Sequence, residues 1–489
     1  MKKYIILILL ITVGISFACT NWLASGRVTV DGRPILHKNR DVGNDRQEYH
    51  YVENGGIPFI GQTYANLLNG EYWAGTNAAG FAIQNSNSYN MEAPVFENGW
   101  GAGADDGWVQ AHALSTCRTV DDFEALLDSL NEGGRTHNSN YGVIDAFGGA
   151  ALFETAGQHF ARHDADDAPD GFIVRSNYSY SGDGVDNRQA FWGPHRHDRA
   201  YELMKEAVDN NELSVEYMFR HIVRDLATVD HNPYENGFVN NLEPIGSGLN
   251  RINRSTTRTV VIIQGVEANG NPLDATMWVM SGNQIGSIAL PLWVRAGSVP
   301  EEIDGETGSR MCDLARDISA WVTENSMINS QKLVNADGTG YWDFAFPIED
   351  EVFSRTNAFL ESQRFDYDQL EGFQNAMART VTDQIEAWQP HYETAERAEL
   401  SGGLRGETYK PRNGEFSELN KGVIKTPEHN LLSVVSVSNS MQLNNLVRSS
   451  THIFDIMGRR VSKGSVPYLP DGNYYFIINN NVQKILIMQ

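Results

Sequence analysis

Apolar and polar positions alternate in short runs over the first third of the chain, behind an apolar leader. The segment "RVTVDGRPILHKNRD" (27–41) predicts a strand, an Asp-Gly turn and a second strand. "NAAGFAIQNSNSY" (77–89) predicts a hairpin with its turn at 77–80, and "NYGVIDAFGGAALFET" (140–155) predicts another around a Gly-Gly turn. The apolar positions of "VDDFEALLDSLNEGG" (120–134) recur at helical spacing, so this segment predicts a helix that ends at its glycines.

Later segments combine buried strands with amphipathic helices. The apolar runs "TRTVVIIQG" (257–265) and "ATMWVMSG" (275–282) have the length of core strands. Residues 197–227, 308–326 and 367–400 show helical periodicity. Because sheets and helices alternate along this part of the chain, we expect one large α+β layered domain.

The pattern changes after residue 400. Residues 401–428 are rich in glycine, lysine and asparagine and show no period, which predicts a linker. Residues 429–489 contain short apolar runs separated by Gly and Asn turns, which predict a small C-terminal β-sandwich. The expected organisation is therefore a leader (1–18), a main domain (19–400), a linker and a C-terminal domain.

Charge narrows the choice of partners. The chain has 489 residues and a formal net charge of −24 at pH 7. Nucleic acids and anionic membrane surfaces are bound by patches of Lys and Arg. The acidic balance therefore argues against both of them as partners.

The leader has the features of a secretory signal. Lys2 and Lys3 precede an apolar run that ends in Ser16-Phe17-Ala18. Small residues three and one positions before a cut fit signal peptidase, so we expect removal after Ala18 and no membrane span after processing. An uncleaved anchor is the alternative, although the run is short for a span of about 20 residues.

Cleavage after Ala18 would make Cys19 the first residue. Its thiol and its α-amine, whose ordinary pKa is about 7.7–8.0, would then supply a nucleophile and a base in one residue. A lipid-anchored cysteine and an incidental cysteine are the alternatives that the leader leaves open. Cys117 and Cys312 either pair with each other or remain two buried thiols.

The residues after Cys19 resemble a known family. "CTNWLASGRVTVDGRPILHKNRD" resembles the start of the N-terminal-nucleophile cysteine amidases, which include choloylglycine hydrolases, penicillin V acylases and acid ceramidases. The carcinine hydrolase and isopenicillin N acyltransferase-type proteins are the most similar subgroup. The resemblance implies a four-layer αββα sandwich that cleaves a linear amide of a small N-acyl substrate through a thioester, with no cofactor and no metal.

The same resemblance implies the site residues. The family's Arg-Asn-x-Asp signature reads Lys38-Asn39-Arg40-Asp41, which leaves open whether Lys38 or Arg40 takes the arginine's role. Asp41 would orient the terminal amine. The side chain of Asn177 and the backbone N–H of Asn87 would form an oxyanion hole. The remaining candidates are two arginines and the acidic residues of the central hairpin: Arg188, Arg258, Asp145 and Glu154.

One histidine-rich segment also raises the question of a metal. "GPHRHDR" places His195 and His197 at alternate positions with no matching third ligand. We therefore expect a solvated loop there.

The tail resembles a C-terminal sorting domain of type IX (Por) secretion. The matching features are "IFDIMGR" (453–459), "LPDGNY" (469–474) and the closing "KILI" (484–487). This implies a secreted or cell-surface enzyme whose tail is recognised by secretion machinery.

Two other functions remain open from the sequence. One is a surface lipoprotein or binding module that keeps the scaffold without chemistry. The other is a Cys–His hydrolase, in which one histidine would be indispensable.

Intact-mass analysis of the exported protein tests the processing. We expect residue 19 to be first and to carry a free amine, because the cut after Ala18 creates both. A diacylglyceryl mass on Cys19, or a blocked amine, would contradict this expectation and favour the lipoprotein.

Overall fold

The structure is a computed structural model. It describes residues 19–388 with gaps, and four strands of the tail. The gaps are 66, 68–69, 93–103, 229–231, 234–244, 247–249, 306–307, 325–326, 336–337 and 363–367.

The strands of the main body are numbered in chain order. They are β1 (Thr20–Ala24), β2 (Ile35–Asp41), β3 (Gln47–Val52), β4 (Phe59–Tyr64), β5 (Ala74–Asn77), β6 (Ala82–Asn87), β7 (Ser139–Ile144), β8 (Ala150–Thr155), β9 (Phe160–Asp164), β10 (Phe172–Arg175), β11 (Ile245–Gly246), β12 (Thr257–Gln264), β13 (Thr276–Ser281), β14 (Leu290–Leu292), β15 (Thr323–Glu324) and β16 (Met327–Ile328).

The helices follow the same convention. They are α1 (Asp106–Thr116), α2 (Val120–Gly133), α3 (Pro194–Asp209), α4 (Val215–Tyr217), α5 (Arg310–Val322), α6 (Ser330–Leu333), α7 (Tyr341–Ser362) and α8 (Leu370–Trp388).

Two antiparallel sheets form the centre of the main body. The first has the order β10-β1-β2-β12-β13-β14, and the second is a meander from β3 to β9 in chain order. β1 and β2 of the first sheet lie against β6 and β7 of the second. A separate three-stranded sheet has the order β11-β16-β15.

Helices cover the outer faces of both sheets. α1 packs on β4, β5 and β6, while α3, α5 and α8 pack on β10, β13 and β14. One apolar cluster on the outer face of the second sheet includes Phe123 and Leu127 of α2 with Tyr141 and Phe153. The architecture is therefore α+β in four layers, as expected from the sequence.

Most local predictions are confirmed. The hairpin turn at 77–80 joins β5 to β6, and the Gly-Gly turn joins β7 to β8. Helix α2 ends at Gly133 and is capped by Gly134, whose φ is 78°. β12 and β13 are buried strands, as predicted.

The first hairpin is shifted from its predicted position. The strand expected at 27–30 is a short 3-10 turn over Gly26–Val28, and the strand lies earlier, at Thr20–Ala24. A Cβ on Gly26 would lie 2.3 Å from the Gly32 carbonyl oxygen, so the chain folds tightly back on itself there. The alternation of apolar residues carries no information about this close approach of Gly26 to Gly32, so it could not predict the shift.

The tail contains four described strands. β17 (Val435–Val437), β18 (His452–Asp455), β19 (Gly472–Ile478) and β20 (Asn481–Ile487) form one sheet of order β17-β20-β19-β18. A second sheet, which a sandwich requires, is not among these strands. The linker and the domain boundaries lie outside the described residues and stay predictions.

Two further observations complete the fold. Cys117 and Cys312 are buried free thiols, so the pairing considered above is absent. Cys117 packs in the same apolar cluster as Phe123 and Tyr141. Cys312 Sγ contacts the Asp45 carbonyl at 3.1 Å. No described helix combines the length and the apolar run that crossing a bilayer requires.

Helix α7 is fixed to the core by a buried ion pair. Arg224 donates to both carboxylate oxygens of Glu349 at 2.7 Å, and the Ala289 N–H donates to the same carboxylate at 3.0 Å. We expect Glu349→Ala to lower the free energy of unfolding by about 3–5 kcal/mol, because Arg224 would remain buried without its partner. Urea denaturation measures this change.

Glu351→Ala is the matched control, two residues along the same helix. Glu351 pairs with Arg355 and its side chain is 42% exposed. The control should cost less than about 1 kcal/mol. Equal losses in the two variants would contradict the role given to the buried pair.

Candidate active site

Cys19 lies directly before β1, between the two sheets. It is 8% exposed. Side chains alternate across a strand, so Cys19 shares its face of β1 with Asn21. Asn21 Nδ2 donates to Gln84 Oε1 of β6 at 2.8 Å, which shows that this face points towards the second sheet. The thiol therefore belongs to the interior of the sandwich.

Lys38 lies opposite Asn21 in the β1–β2 ladder and is 2% exposed. Its Nζ donates to the Trp73 carbonyl at 2.8 Å and to Asn85 Oδ1 at 2.5 Å. Burial lowers the pKa of Lys38 to about 7, although the nearby Cys19 acts in the opposite direction. The lysine contacts Asp41 in no described hydrogen bond.

Arg40 is held by aromatic rings. Its guanidinium lies 4.2 Å from the ring centroids of both Tyr64 and Trp73, and Nη1 donates to Gln47 Oε1 at 2.9 Å. Continuing the β1–β2 register by one pair places Arg40 opposite Cys19. Lys38 and Arg40 thus both lie on the interior face near Cys19, and Asp41 is held by another cation.

That cation is Arg254, which the sequence analysis did not identify. Arg254 Nη1 donates to Asp41 Oδ2 at 2.8 Å, and Thr257 Oγ1 donates to Oδ1 at 2.6 Å. Asn283 Nδ2 donates to the carbonyls of Arg254 and Thr257, which fixes this segment. The Asp41 carboxylate is therefore buried but compensated.

A β-bulge explains why Arg258 lies elsewhere. Thr257 pairs with Asp41 and Thr259 pairs with Arg40, so Arg258 is the extra residue of β12. Its Nε donates to the Val42 carbonyl at 3.3 Å. None of the described hydrogen bonds of Arg258 reaches Cys19 or the side-chain atoms of Asp41.

Arg188 also lies away from Cys19. It donates to both carboxylate oxygens of Asp198, at 2.8 and 3.0 Å, and to the Tyr178 hydroxyl at 3.0 Å. Its side chain is 32% exposed. These contacts describe an ion pair near the surface.

Asn177 and Asn87 lie together, as the predicted oxyanion hole requires. Asn177 is fully buried, and its Nδ2 donates to the Asn87 carbonyl at 3.0 Å. The Ser88 N–H donates to the Asn138 carbonyl, so in the alternating antiparallel ladder the Asn87 N–H points away from β7. The N–H and the carbonyl of Asn87 point to the same side of the strand. Because the carbonyl accepts from Asn177, the Asn87 N–H also points to the side on which Asn177 lies.

Arg196 connects the nucleophile candidate to Asn177. Its Nη1 donates to the Cys19 carbonyl at 2.7 Å and to Thr20 Oγ1 at 2.5 Å, while Nη2 donates to Asn177 Oδ1 at 3.0 Å. Arg196 is 1% exposed, and burial together with Arg254 lowers its pKa to about 10. We call Arg196 with Cys19, Thr20 and Asn177 the Arg196 clamp.

The Arg196 clamp fixes the orientation of the Asn177 amide. A guanidinium can only donate hydrogen bonds, so the oxygen of the amide must face Arg196. The NH₂ group then faces the opposite side, where one N–H is used by the Asn87 carbonyl. The second N–H has no acceptor among the described hydrogen bonds.

Arg196 comes from the segment that we expected to be a solvated loop. "GPHRHDR" is instead the start of α3, with Pro194 at its first turn after Gly193. Gly193 has a φ of 78°, and a Cβ there would lie 2.0 Å from Arg196 Nη2. His197 is buried and its Nε2 lies 2.9 Å from the Tyr180 hydroxyl. The Gly-Pro pair was the available signal for a helix start.

Glu154 holds the segment that follows Asn177, whereas Asp145 lies beyond the opposite end of β7. Glu154 accepts from Arg175 Nε at 2.6 Å and from the N–H groups of Tyr180 and Ser181 at 2.7 Å. Burial would raise the pKa of Glu154, but hydrogen bonds from His163 and Ser181 and the charge of Arg175 hold it well below its ordinary value.

Asp145 accepts from the N–H groups of Val120, Phe147 and Gly149. Both acids of the central hairpin therefore have structural partners.

One group of residues has the composition of a metal site. The ligand-type atoms of Glu48, His50 and Asp304 lie within 4.8 Å of one another. His50 Nε2 is 3.3 Å from Glu48 and 3.5 Å from Asp304, so the three form ion pairs when His50 is protonated. None of the described contacts of these residues reaches Cys19.

Comparisons with known proteins give only distant likenesses. No family model and no curated protein match the chain. Among solved structures, a variant of the conjugated bile acid hydrolase from Clostridium perfringens is 10% identical, with a TM-score of 0.37 over 59% of this chain and 94% of that one.

Two other structures are similar to the same degree. The penicillin V acylase from Agrobacterium tumefaciens is 14% identical, with a TM-score of 0.38 over 59% of this chain and 89% of that one. A Caenorhabditis elegans ortholog of N-acylethanolamine-hydrolyzing acid amidase is 15% identical, with a TM-score of 0.33 over 50% and 92%. At these values the likenesses assign no activity, so the chemistry of this chain rests on its own side chains.

Arg196→Met tests the clamp. We expect kcat on an N-acyl amide to fall by about 10²-fold or more, because the Asn177 amide loses the donor that orients it. Arg196→Lys should recover little, since an ammonium does not reproduce the planar fork. Steady-state kinetics and circular dichroism of the two variants measure activity and folding.

Arg199→Met is the control on the same helix. Arg199 pairs with Asp225 and Glu202 and contacts no member of the clamp in the described structure. Its kcat should stay within about threefold of the parent. A folded Arg196→Met variant with the parent's kcat would contradict the role of the clamp.

Proposed function

We propose that the protein is an amidohydrolase or acyltransferase that cleaves a linear C–N amide bond of a small N-acyl substrate through Cys19. The observation that carries this proposal is the Arg196 clamp, which joins the main chain of Cys19 to the side chain of Asn177. A nucleophilic sulfur and an oriented amide donor then lie at one interior position between the sheets.

The base is the α-amine that removal of residues 1–18 would expose. It would take the thiol proton directly or through a water, and the sulfur would attack the amide carbon. Asp41 would orient this amine. Because Arg254 and Thr257 already hold the Asp41 carboxylate, its charge would not bind the ammonium so strongly that the base is lost.

The attack creates an oxyanion on the former carbonyl oxygen. The free N–H of Asn177 Nδ2 and the N–H of Asn87 would donate to it, each contributing about 3–4 kcal/mol of transition-state stabilisation in a dry site. The C–N bond then breaks and the leaving nitrogen takes the proton from the amine. A thioester remains on Cys19, which water or a second amine resolves.

The charge distribution favours this chemistry. Lys38, Arg40 and Arg196 lie on the interior near Cys19, and their described hydrogen bonds go to neutral acceptors. The chain as a whole carries a net charge of −24, whereas the interior near Cys19 is positively charged. Positive groups in a low-dielectric site stabilise a thiolate and an oxyanion.

We further propose that the enzyme acts outside the cell. The leader and the tail supply the two signals that export by signal peptidase and type IX secretion would need. On this proposal the partners are the N-acyl amide substrate and the secretion machinery that recognises the tail.

Substitution of the nucleophile tests the proposed function. We expect Cys19→Ala in the processed protein to abolish amide release, and Cys19→Ser to retain at most about 1% of it, because a hydroxyl ionises far less readily than a thiol. A screen of N-acyl amides on purified protein provides the measurement.

Cys117→Ala is the matched control, since Cys117 is a buried thiol remote from the site contacts. It should keep the parent's turnover. Unchanged turnover in both Cys19 variants would remove the proposal and favour a binding module on the same scaffold.

A further inference from the structure

Lys38 differs in head-group chemistry from the arginines that surround Cys19. Arg40, Arg196 and Arg254 carry guanidinium groups, which keep their proton at neutral pH. A buried ammonium loses its proton far more readily. Among these four side chains, Lys38 is therefore the one that can lose its proton near neutral pH and accept another.

The hydrogen bonds of Lys38 suit its neutral form. A neutral amine has two N–H donors and one lone pair, and an ammonium has three N–H donors. Nζ donates to two described acceptors, the Trp73 carbonyl and Asn85 Oδ1. Deprotonation would keep both bonds and turn the third N–H into a lone pair, which can accept a proton.

The strand register places Lys38 on the same face as Cys19, diagonally across from it, while Arg40 is directly opposite. Lys38 pairs with Asn21, which follows Cys19 by two residues on the same strand face. The charge of Cys19 acts to raise the pKa of Lys38. Both residues are buried, so water screens this interaction little.

Four ionisable groups near Lys38 influence its pKa. They are Cys19 before β1, Arg40 and Asp41 on β2, and Asp106 at the start of α1. Asn85, whose Oδ1 accepts from Lys38, also donates from Nδ2 to Asp106 Oδ2 at 2.8 Å. Burial is the largest influence on the Lys38 pKa and lowers it to about 7, while Cys19 raises it, Arg40 lowers it, and Asp106 and Asp41 raise it.

We propose that Lys38 exchanges the thiol proton of Cys19, so that the sulfur and the ε-amine form one titrating pair. The proposal rests on the proposed function, in which Cys19 is the nucleophile. The S–H bond breaks and the lone pair of Nζ receives the proton, directly or through a bridging water, as a new N–H bond. This leaves a thiolate near an ammonium with no change in total charge. The pair then titrates with macroscopic pKa values that belong to neither residue alone.

Alkylation of Cys19 tests the pair without any amide substrate. Processed protein reacts with iodoacetamide across about pH 5 to 10, and peptide mass analysis follows modification of residue 19, because the thiolate is the reacting form. The variants are Lys38→Arg, which keeps the charge and cannot release its proton, and Lys38→Met, which removes both. Lys332→Arg is the matched control, since Lys332 Nζ also donates to a tryptophan carbonyl at 2.8 Å, that of Trp321.

The pair predicts a distinct profile for each protein. The parent and Lys332→Arg should show two ionisations, with the first near neutrality. Lys38→Arg should lose that step and react at lower pH, because its permanent charge stabilises the thiolate. Lys38→Met should react at least about tenfold more slowly at pH 7, which corresponds to one unit in thiol pKa. Superimposable profiles for the parent and Lys38→Arg would overturn the proposal and leave the α-amine as the sole base.

An NMR titration of the parent protein tests the same proposal without any Lys38 variant, in case a variant fails to fold. In protein labelled with ¹⁵N-lysine, the Lys38 Nζ resonance should titrate near neutrality and should move when Cys19 is alkylated. A titration near the ordinary lysine value of about 10.4 would also overturn the proposal. Neither experiment uses amide turnover, so a protein with the coupled titration and no amidase activity would contradict only the proposed function.

Discussion

A single buried guanidinium constrains the geometry of the whole site. Arg196 donates to the backbone of Cys19, to Thr20 and to the side chain of Asn177. These acceptors belong to the start of β1 and to the segment after β10, two neighbouring strands of one sheet. Burying a guanidinium is costly unless its donors are satisfied. The described bonds satisfy donors on Nη1 and Nη2, whereas Nε has no partner among them. The cost is therefore partly offset, and only when the Cys19 carbonyl, Thr20 and Asn177 converge, so the arginine favours the arrangement that the proposed chemistry requires.

The family resemblance, and not the hydrophobic pattern, named Asp41, Asn87 and Asn177 as candidate site residues, and all three lie at or just after the ends of strands. Asp41 closes β2, and Asn87 closes β6 after a hairpin whose turn was recognised from its Asn and Gly residues. Asn177 follows β10, and the structure places it against Asn87. Short-range pattern sets the ends of strands, and the ends of neighbouring strands in a sandwich meet at one edge.

The sequence did not predict which cations complete the site. Arg254 and Arg258 stand four positions apart in one segment, and only the bulge in β12 decides that Thr257 faces Asp41 while Arg258 falls out of register. Arg196 was missed for a different reason, because Gly-Pro was read as part of a loop when it begins α3. In both cases the contact partner is about 180 to 210 residues away in the chain. Local periodicity carries no information about such pairings.

The long separations also couple reactivity to folding. Cys19 is followed closely by β1 and β2, but the groups that orient its surroundings come from Asn177, Arg196 and Arg254. Before α3 and β12 have packed on the core, the Asn177 amide is not oriented by Arg196 and the Asp41 carboxylate is not paired with Arg254. Such contacts between distant residues form late, because their loop-closure entropy must be offset by the packed core. The surroundings of the proposed nucleophile are thus assembled by the same packing that buries Cys19.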